Sequence, residues 1–260
     1  MPDFFYLLSR WKKQIILVVL ISLIIATVVL FFSPKKYLSV STALPASSYA
    51  SDKARIFNEN IQELYSALGT MDELDMIAGT GKLDTLYLAV TDEFSLVDHY
   101  KTEGTPEEAR LKAAFILKKD TRVTKSEFGE LKVKVWNKSK NMAPQLANAL
   151  MNKIQGMHQE LQSKSNLATL ASLEKARAAL QSDSISQDIR LELNTKYERL
   201  IAEYKLMVSS KPQVLLVVEK ARPAIRPDKP KTITILVLTA VLSFLFALLL
   251  ALTLERRKTS

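Results

Sequence analysis

Cysteine is absent from this chain, so no disulfide braces it, no thiolate serves as a nucleophile and no Cys-based metal site exists. Glycine is scarce, with 6 in 260 residues. Neither a phosphate-cradling Gly-rich loop, a Walker-type lysine nor a nucleophile elbow occurs. The 2 histidines, His99 and His158, lie far apart without metal-ligand spacing. Each reads as an ordinary surface or hydrogen-bonded side chain, His158 on the polar flank of a helix. Asp72, Glu73 and Asp75 sit at helical spacing and read as a solvated face. No catalytic residue, cofactor or metal is expected.

Charge is missing from two long stretches. Gln14 to Phe32 and Thr232 to Leu254 contain no Lys, Arg, Asp, Glu or His. At about 1.5 Å per residue, each is long enough to cross a hydrocarbon core of roughly 30 Å as a helix. The expected layout is a tail at 1–13, a span at 14–32, one bulk domain at 33–231, a span at 232–254 and a tail at 255–260. Arg10, Lys12 and Lys13 outweigh Asp3 in the first tail, and Arg256, Arg257 and Lys258 outweigh Glu255 in the second. The positive-inside rule therefore keeps both tails in the cytoplasm and exports the middle. Lys35 and Lys36 weaken that vote without reversing it, and Trp11 suits an interfacial anchor. A cleaved signal peptide is the rival reading of the first run. Its apolar stretch is too long for one, and no small-x-small site follows directly.

The formal charge of +9 shrinks once the basic tails are set aside. No block of basic residues interleaves with aromatics, so nucleic acid is not an expected partner. Lys220, Arg222, Arg226, Lys229 and Lys231 form the densest basic group, just before the second span. Anchoring to lipid headgroups is the first reading of it, and a specific anionic ligand the second.

Alternation over Tyr37 to Leu44 predicts a half-buried strand with Leu38, Val40, Thr42 and Leu44 on one face. Asp52 to Ala67 reads as an amphipathic helix, followed by short helices around 72–78 and 84–90. Thr105-Pro-Glu-Glu108 is a helix start, with a capping box and proline at the first position. A hairpin follows, with arms at Arg122–Lys125 and Leu131–Trp136 and a turn at Glu127-Phe-Gly129. Leu131, Val133 and Val135 form its apolar face.

Met142 to Leu180 is helical, with a stripe of Met142, Leu146, Leu150, Ile154, Met157 and Leu161. After Ser182-Asp-Ser184 comes a second stripe: Ile185, Ile189, Leu193, Tyr197, Leu200, Tyr204 and Met207. The two stripes pack together as an arm or line an oligomer; pattern alone leaves both open. Gln213 to Val218 predicts a buried last strand. Strands flanking both spans suggest that the two ends pair in one sheet. The fold class expected is thus membrane-anchored α/β: two transmembrane helices flanking a mixed α/β base with a long helical arm.

Two features suit contacts with partners. Pro223, Pro227 and Pro230 make a stiff, extended connector into the second span. Thr239, Ser243, Ala247 and Ala251 repeat every four residues, a small-residue stripe that admits another helix closely. That helix is the first span, a neighbouring copy or a different membrane protein.

The assembled pattern resembles the chain-length determinants, the Wzz-type polysaccharide co-polymerases of bacterial inner membranes. The likeness rests on Lys36–Ala43 after the first span, Leu131–Trp136, Ala147-Asn148-Ala149-Leu150, Val217–Ala221 and the proline-rich approach to the second span. Family members often carry an acidic residue and a proline before the Asn-containing helix; here Asn137–Met142 stands instead, with Pro144 later. The resemblance implies a protein that is not an enzyme. It implies a homo-oligomeric ring with helical arms in the periplasm. It also implies a membrane polysaccharide polymerase as partner, the nascent glycan as a further contact, and control of glycan length as the role. Competing classes are the membrane activator of a separate bacterial tyrosine kinase in polysaccharide export and an envelope adaptor or tether. A sensory receptor would need a cytoplasmic output domain.

Overall fold

The computed structural model describes residues 4–46, 73–180 and 186–259. The helix expected over Asp52–Ala67, Asp72, and the Ser182–Ser184 interruption lie outside these residues. The chain divides into two compact units. One comprises Met1–Tyr37, Lys138–Lys140 and Ala224–Ser260, and the other Leu38–Asn137 and Asn141–Pro223.

The first unit is built on two helices, α1 (Phe4–Phe32) and the last helix of the chain, Thr232–Thr259. Both run past their apolar stretches, and both are long and apolar enough to cross a membrane.

The second unit is α/β. Its described elements are β1 (Tyr37–Pro45), α2 (Glu73–Thr80), α3 (Asp84–Glu93), α4 (Leu96–Tyr100), α5 (Pro106–Lys119), β2 (Thr121–Lys125), β3 (Leu131–Asn137), α6 (Met142–Ala179), α7 (Gln187–Ser210) and β4 (Leu215–Glu219). The final helix is accordingly α8. The strands form one sheet in the order β2-β3-β1-β4. The hairpin pairs Val123 with Val133 and Lys125 with Leu131. Gly129 closes its turn at φ 73°, a conformation that side-chain-bearing residues rarely adopt. β1 pairs antiparallel with β4, Ala43 opposite Val217 and Leu44 opposite Leu216, so the expected joining of the two ends holds. The fold is of the membrane-anchored α/β class.

One core serves this unit. Leu131, Val133 and Val135 of β3 are fully buried with Leu146, Leu150 and Ile154 of α6, and Leu74, Leu86, Val90 and Leu117 join them. The capping box of α5 forms as expected: the Glu108 amide donates to Thr105 Oγ1 at 3.3 Å and the Thr105 amide to Glu108 Oε2 at 3.1 Å. Leu111 and Phe115 face outward, and Ala113, Ala114 and Leu117 take the inner face of that helix.

Three sequence expectations change. On β1 Ser39, Ser41 and Ala43 are buried, and Thr42 of the expected face is buried beside a register shift between Thr42 and Ala43, while Leu38, Val40 and Leu44 stay half-exposed. Burial of the serines costs little because each hydroxyl donates to a backbone carbonyl: Ser39 to Arg222 O at 2.8 Å and Ser41 to Glu219 O at 3.4 Å. β4 lies at the sheet edge and buries Leu215, leaving Leu216 and Val218 exposed, so it is half-buried rather than wholly internal. On α7 the inward position is Ile201 instead of Leu200, since the four-residue steps from Leu193 and Tyr197 continue to 201. Helices α6 and α7 do pack on each other within one chain, but the first stripe is spent mostly on the α/β core through Leu146, Leu150 and Ile154, and Leu161 and Ile189 of the two stripes stay exposed. Arg177 Nε donates to Asn194 Oδ1 at 2.8 Å and Arg177 pairs with Glu198, while Lys205 meets Glu174 at 3.1 Å.

Gly81 is a tight point. A Cβ there would meet Val123 Cβ at 2.7 Å, and a β-branched side chain has no flexible end to withdraw. Gly81→Ala is expected to destabilise the protein by about 1–3 kcal/mol. The same change in a Val123→Ala background should cost less, a coupling read by thermal melts of the four proteins.

Tyr87 is buried and donates to Gly81 O at 2.5 Å. Burial, then the nearby Asp84 carboxylate, pushes its phenol up from 10 to about 12. Burial, then Asp120, does the same for Tyr100, partly opposed by its hydrogen bond with Asn137. Between those values the unfolded chain sheds protons that the folded protein keeps. Stability from this source is therefore whole below pH 10 and lost as pH rises towards about 12. Melting temperature against pH should fall across that window, and less steeply in Tyr87→Phe.

Candidate functional site

The residues expected to make contacts fall into two groups. In the first unit, α1 and α8 pair antiparallel: Arg10 near the start of α1 meets Glu255 near the end of α8. Beyond the opposite end of the pair, the Lys36 amide donates to Lys229 O at 3.1 Å and the Asp228 amide to Lys36 O at 2.8 Å. The small-residue stripe of α8 faces α1. Ser243, Ala247 and Ala251 are buried, Thr239 is half-buried, and Ala247 and Ala251 pack with Trp11 and Ile15. Small side chains let the two backbones approach closely, so contact is made by dispersion along the whole seam. Of the three occupants weighed for the stripe, the structure places the first span there. Ser22 and Ala26 lie half-buried on α1.

Glu255 extends the same four-residue rhythm, one step beyond Ala251. The residue is 6% exposed, and its carboxylate accepts from Arg10 Nη1 at 2.7 Å and from Trp11 Nε1 at 2.9 Å. Charge and hydrogen bonding thus close the end of the seam, and Trp11 is turned towards the second helix. Sequence pattern alone suggests an interfacial anchor for Trp11 and a tail position for Glu255. The signal available was the position of Glu255, four residues after Ala251.

The second group lies in the α/β unit and holds the start of the connector. Asn148 on α6 binds both backbone groups of Ala221: its Nδ2 donates to Ala221 O at 3.2 Å, and the Ala221 amide donates to its Oδ1 at 2.8 Å. One amide side chain here does what a neighbouring strand would do. With Ser39 on Arg222 O, it fixes the chain immediately before Pro223. Asn148 was noticed in the sequence only through family likeness, because its geometry depends on a residue 73 positions away. Pro223 and Pro227 are exposed and Pro230 is half-buried, following a cis peptide after Lys229.

Neither histidine belongs to these groups. His158 is buried instead of lying on a polar flank, with Nε2 at 3.0 Å from Thr80 Oγ1. His99 Nε2 lies 3.3 Å from Asn137 Oδ1, and Asn137 Nδ2 donates to Tyr100. Among the described residues, no group of three or more His, Cys, Asp and Glu side chains is placed to hold a metal ion.

No family model matches the chain, and no curated relative does. Among solved structures it is similar to a full-length bacterial polysaccharide co-polymerase, 16% identical, with 100% of this chain and 98% of that one covered at a TM-score of 0.43. It is also similar to a fragment of WzzB, the polysaccharide co-polymerase of Salmonella Typhimurium, 11% identical, with 75% and 100% covered at a TM-score of 0.34. Both structures carry the family name that the sequence resemblance implies.

Asn148→Ala leaves the N–H and C=O of Ala221 without these partners and is expected to cost about 1–3 kcal/mol. Hydrogen exchange at the Ala221 amide should accelerate with it. Unchanged protection there would show that the side chain does not hold the connector.

Proposed function

We propose that this protein is a non-catalytic co-polymerase that sets the chain length of a bacterial surface polysaccharide, whether O-antigen-like lipopolysaccharide, capsule or exopolysaccharide. One observation carries the reading. Apart from the proline-rich approach to the second span, the segments that bear the sequence likeness, far apart along the chain, meet in the α/β unit. The strand of Lys36–Ala43 pairs with that of Val217–Ala221, β3 lies beside β1, and Asn148 holds Ala221. Likeness at scattered positions that converge on one structural join reflects a shared architecture more than shared composition.

In this reading both tails face the cytoplasm of the inner membrane and the bulk lies in the periplasm, as the basic tails favour. Copies assemble as a homo-oligomeric ring with the α6–α7 arms projecting from it. The apolar side chains left exposed on those arms, Leu161, Leu167, Leu191 and Leu206, are surface for such neighbours. The ring acts beside an integral-membrane polymerase and limits how many repeat units are joined before release. No bond is made or broken by the protein itself; shape and contact suffice. The connector of Pro223, Pro227 and Pro230 transmits the state of the ring to the span pair, and the outer faces of α1 and α8 meet the polymerase. The stripe of Thr239, Ser243, Ala247 and Ala251 sets how closely the two spans pair and hence what those faces present.

Deletion followed by gel analysis of surface polysaccharide should convert a clustered length distribution into a random one. Replacing Ser243 and Ala247 by Leu forces the spans apart. The modal length or the size of the assembled oligomer should shift. A normal ladder after deletion would refute length control and favour an envelope tether. A normal ladder after the double replacement alone would refute only the coupling through the spans.

A further inference from the structure

The connector carries a hydrophobic side chain that the fold does not use. Ile225 is 97% exposed, between Pro223 and Pro227, in a unit whose other highly exposed apolar residues, Phe31, Phe32 and Ile233, cap the helix ends that enter the membrane. Around it the charge is almost all of one sign. Lys35, Lys36, Arg226, Lys229 and Lys231 lie on the two segments that leave the helices, and Lys138 and Lys140 belong to the same compact unit. On those segments Asp228 is the one acid.

Position along the chain says what faces this surface. Lys35 follows the end of α1 by three residues and Lys231 immediately precedes α8, so at about 3.5 Å per residue both stay within roughly 10 Å of the hydrocarbon edge. The headgroup region extends about 5–7 Å beyond the hydrocarbon, so these residues lie in or just outside it. The backbone pairing of Lys36 with Lys229 holds the connector to the end of α1, and Ile225 lies four residues before Lys229. Pro223 and Pro227 fix their own φ and restrict Arg222 and Arg226, so the connector on either side of Ile225 is stiffened and less chain entropy is lost when it is held in place.

We propose that this is a lipid-docking surface: Ile225 enters the headgroup layer of the membrane that α1 and α8 cross, and the surrounding cations bind the phosphates of anionic phospholipids. The arrangement follows the rule for interfacial anchors, an apolar tip flanked by lysine and arginine. It makes the connector a part of the membrane surface, independent of which glycan the protein regulates.

The absence of native cysteine allows a clean test. Full-length protein carrying Ile225→Cys, or Ala224→Cys with Ile225 retained, is labelled with an environment-sensitive fluorophore. It is then reconstituted into vesicles of phosphatidylcholine with or without phosphatidylglycerol, with no other protein. Blue-shifted emission at both positions, quenched by headgroup-proximal doxyl lipid and more strongly with phosphatidylglycerol, is expected. Combined Arg226→Gln, Lys229→Gln and Lys231→Gln should lower the preference for spin-labelled phosphatidylglycerol by about fivefold per charge removed. Water-exposed emission at both positions in both vesicles would overturn the proposal and leave the surface to a protein partner. So would a lipid preference unmoved by the triple variant.

Discussion

Antiparallel pairing of β1 with β4 is the interaction on which the rest depends. Thr42 opposes Glu219 across nearly the whole bulk of the chain, so the ladder closes a loop whose entropy must be offset by contacts made elsewhere. Those contacts are at hand. Ala43, Leu215, Val133 and Leu150 belong to one core, and the hydroxyls of Ser39 and Ser41 bond to carbonyls on or just after β4. Asn148 then extends the pairing past the end of the strand by binding both backbone groups of Ala221. A chain that enters and leaves a domain at one join can tie that domain to two membrane helices without a covalent brace. The absence of cysteine is consistent with such a construction.

The helix pair applies the same economy in a different solvent. Inside lipid there is little hydrophobic gain in bringing helices together, so association rests on close packing and a few polar contacts. Ala247 and Ala251 supply the close packing against Trp11 and Ile15, and Glu255 with Arg10 and Trp11 supplies the polar closure. At the other end, backbone bonds between Lys36 and Lys229 complete the pair. The stripe, which by pattern suits several partners, has its partner in the same chain. The function proposed for the protein therefore places outside contacts on the remaining faces and on the connector, in keeping with a role performed by shape.

Periodicity and composition determined much of this protein. Charge-free runs of sufficient length dictate spanning helices, because a backbone in hydrocarbon must satisfy its own hydrogen bonds. Alternation marked the β2–β3 hairpin, and the capping pattern at Thr105 marked the start of α5; both signals are local and need no tertiary contact to be legible. Tertiary structure decided what depends on distant partners. Ser39 and Ser41 turn inward because carbonyls about 180 residues away accept hydrogen bonds from them, so Leu38 and Val40 stay half-exposed where hydrophobicity alone would bury them. Asn148 gains its role from Ala221, and Glu255 from Arg10 and Trp11. Each is a short-range force acting between residues that only the completed fold brings within reach.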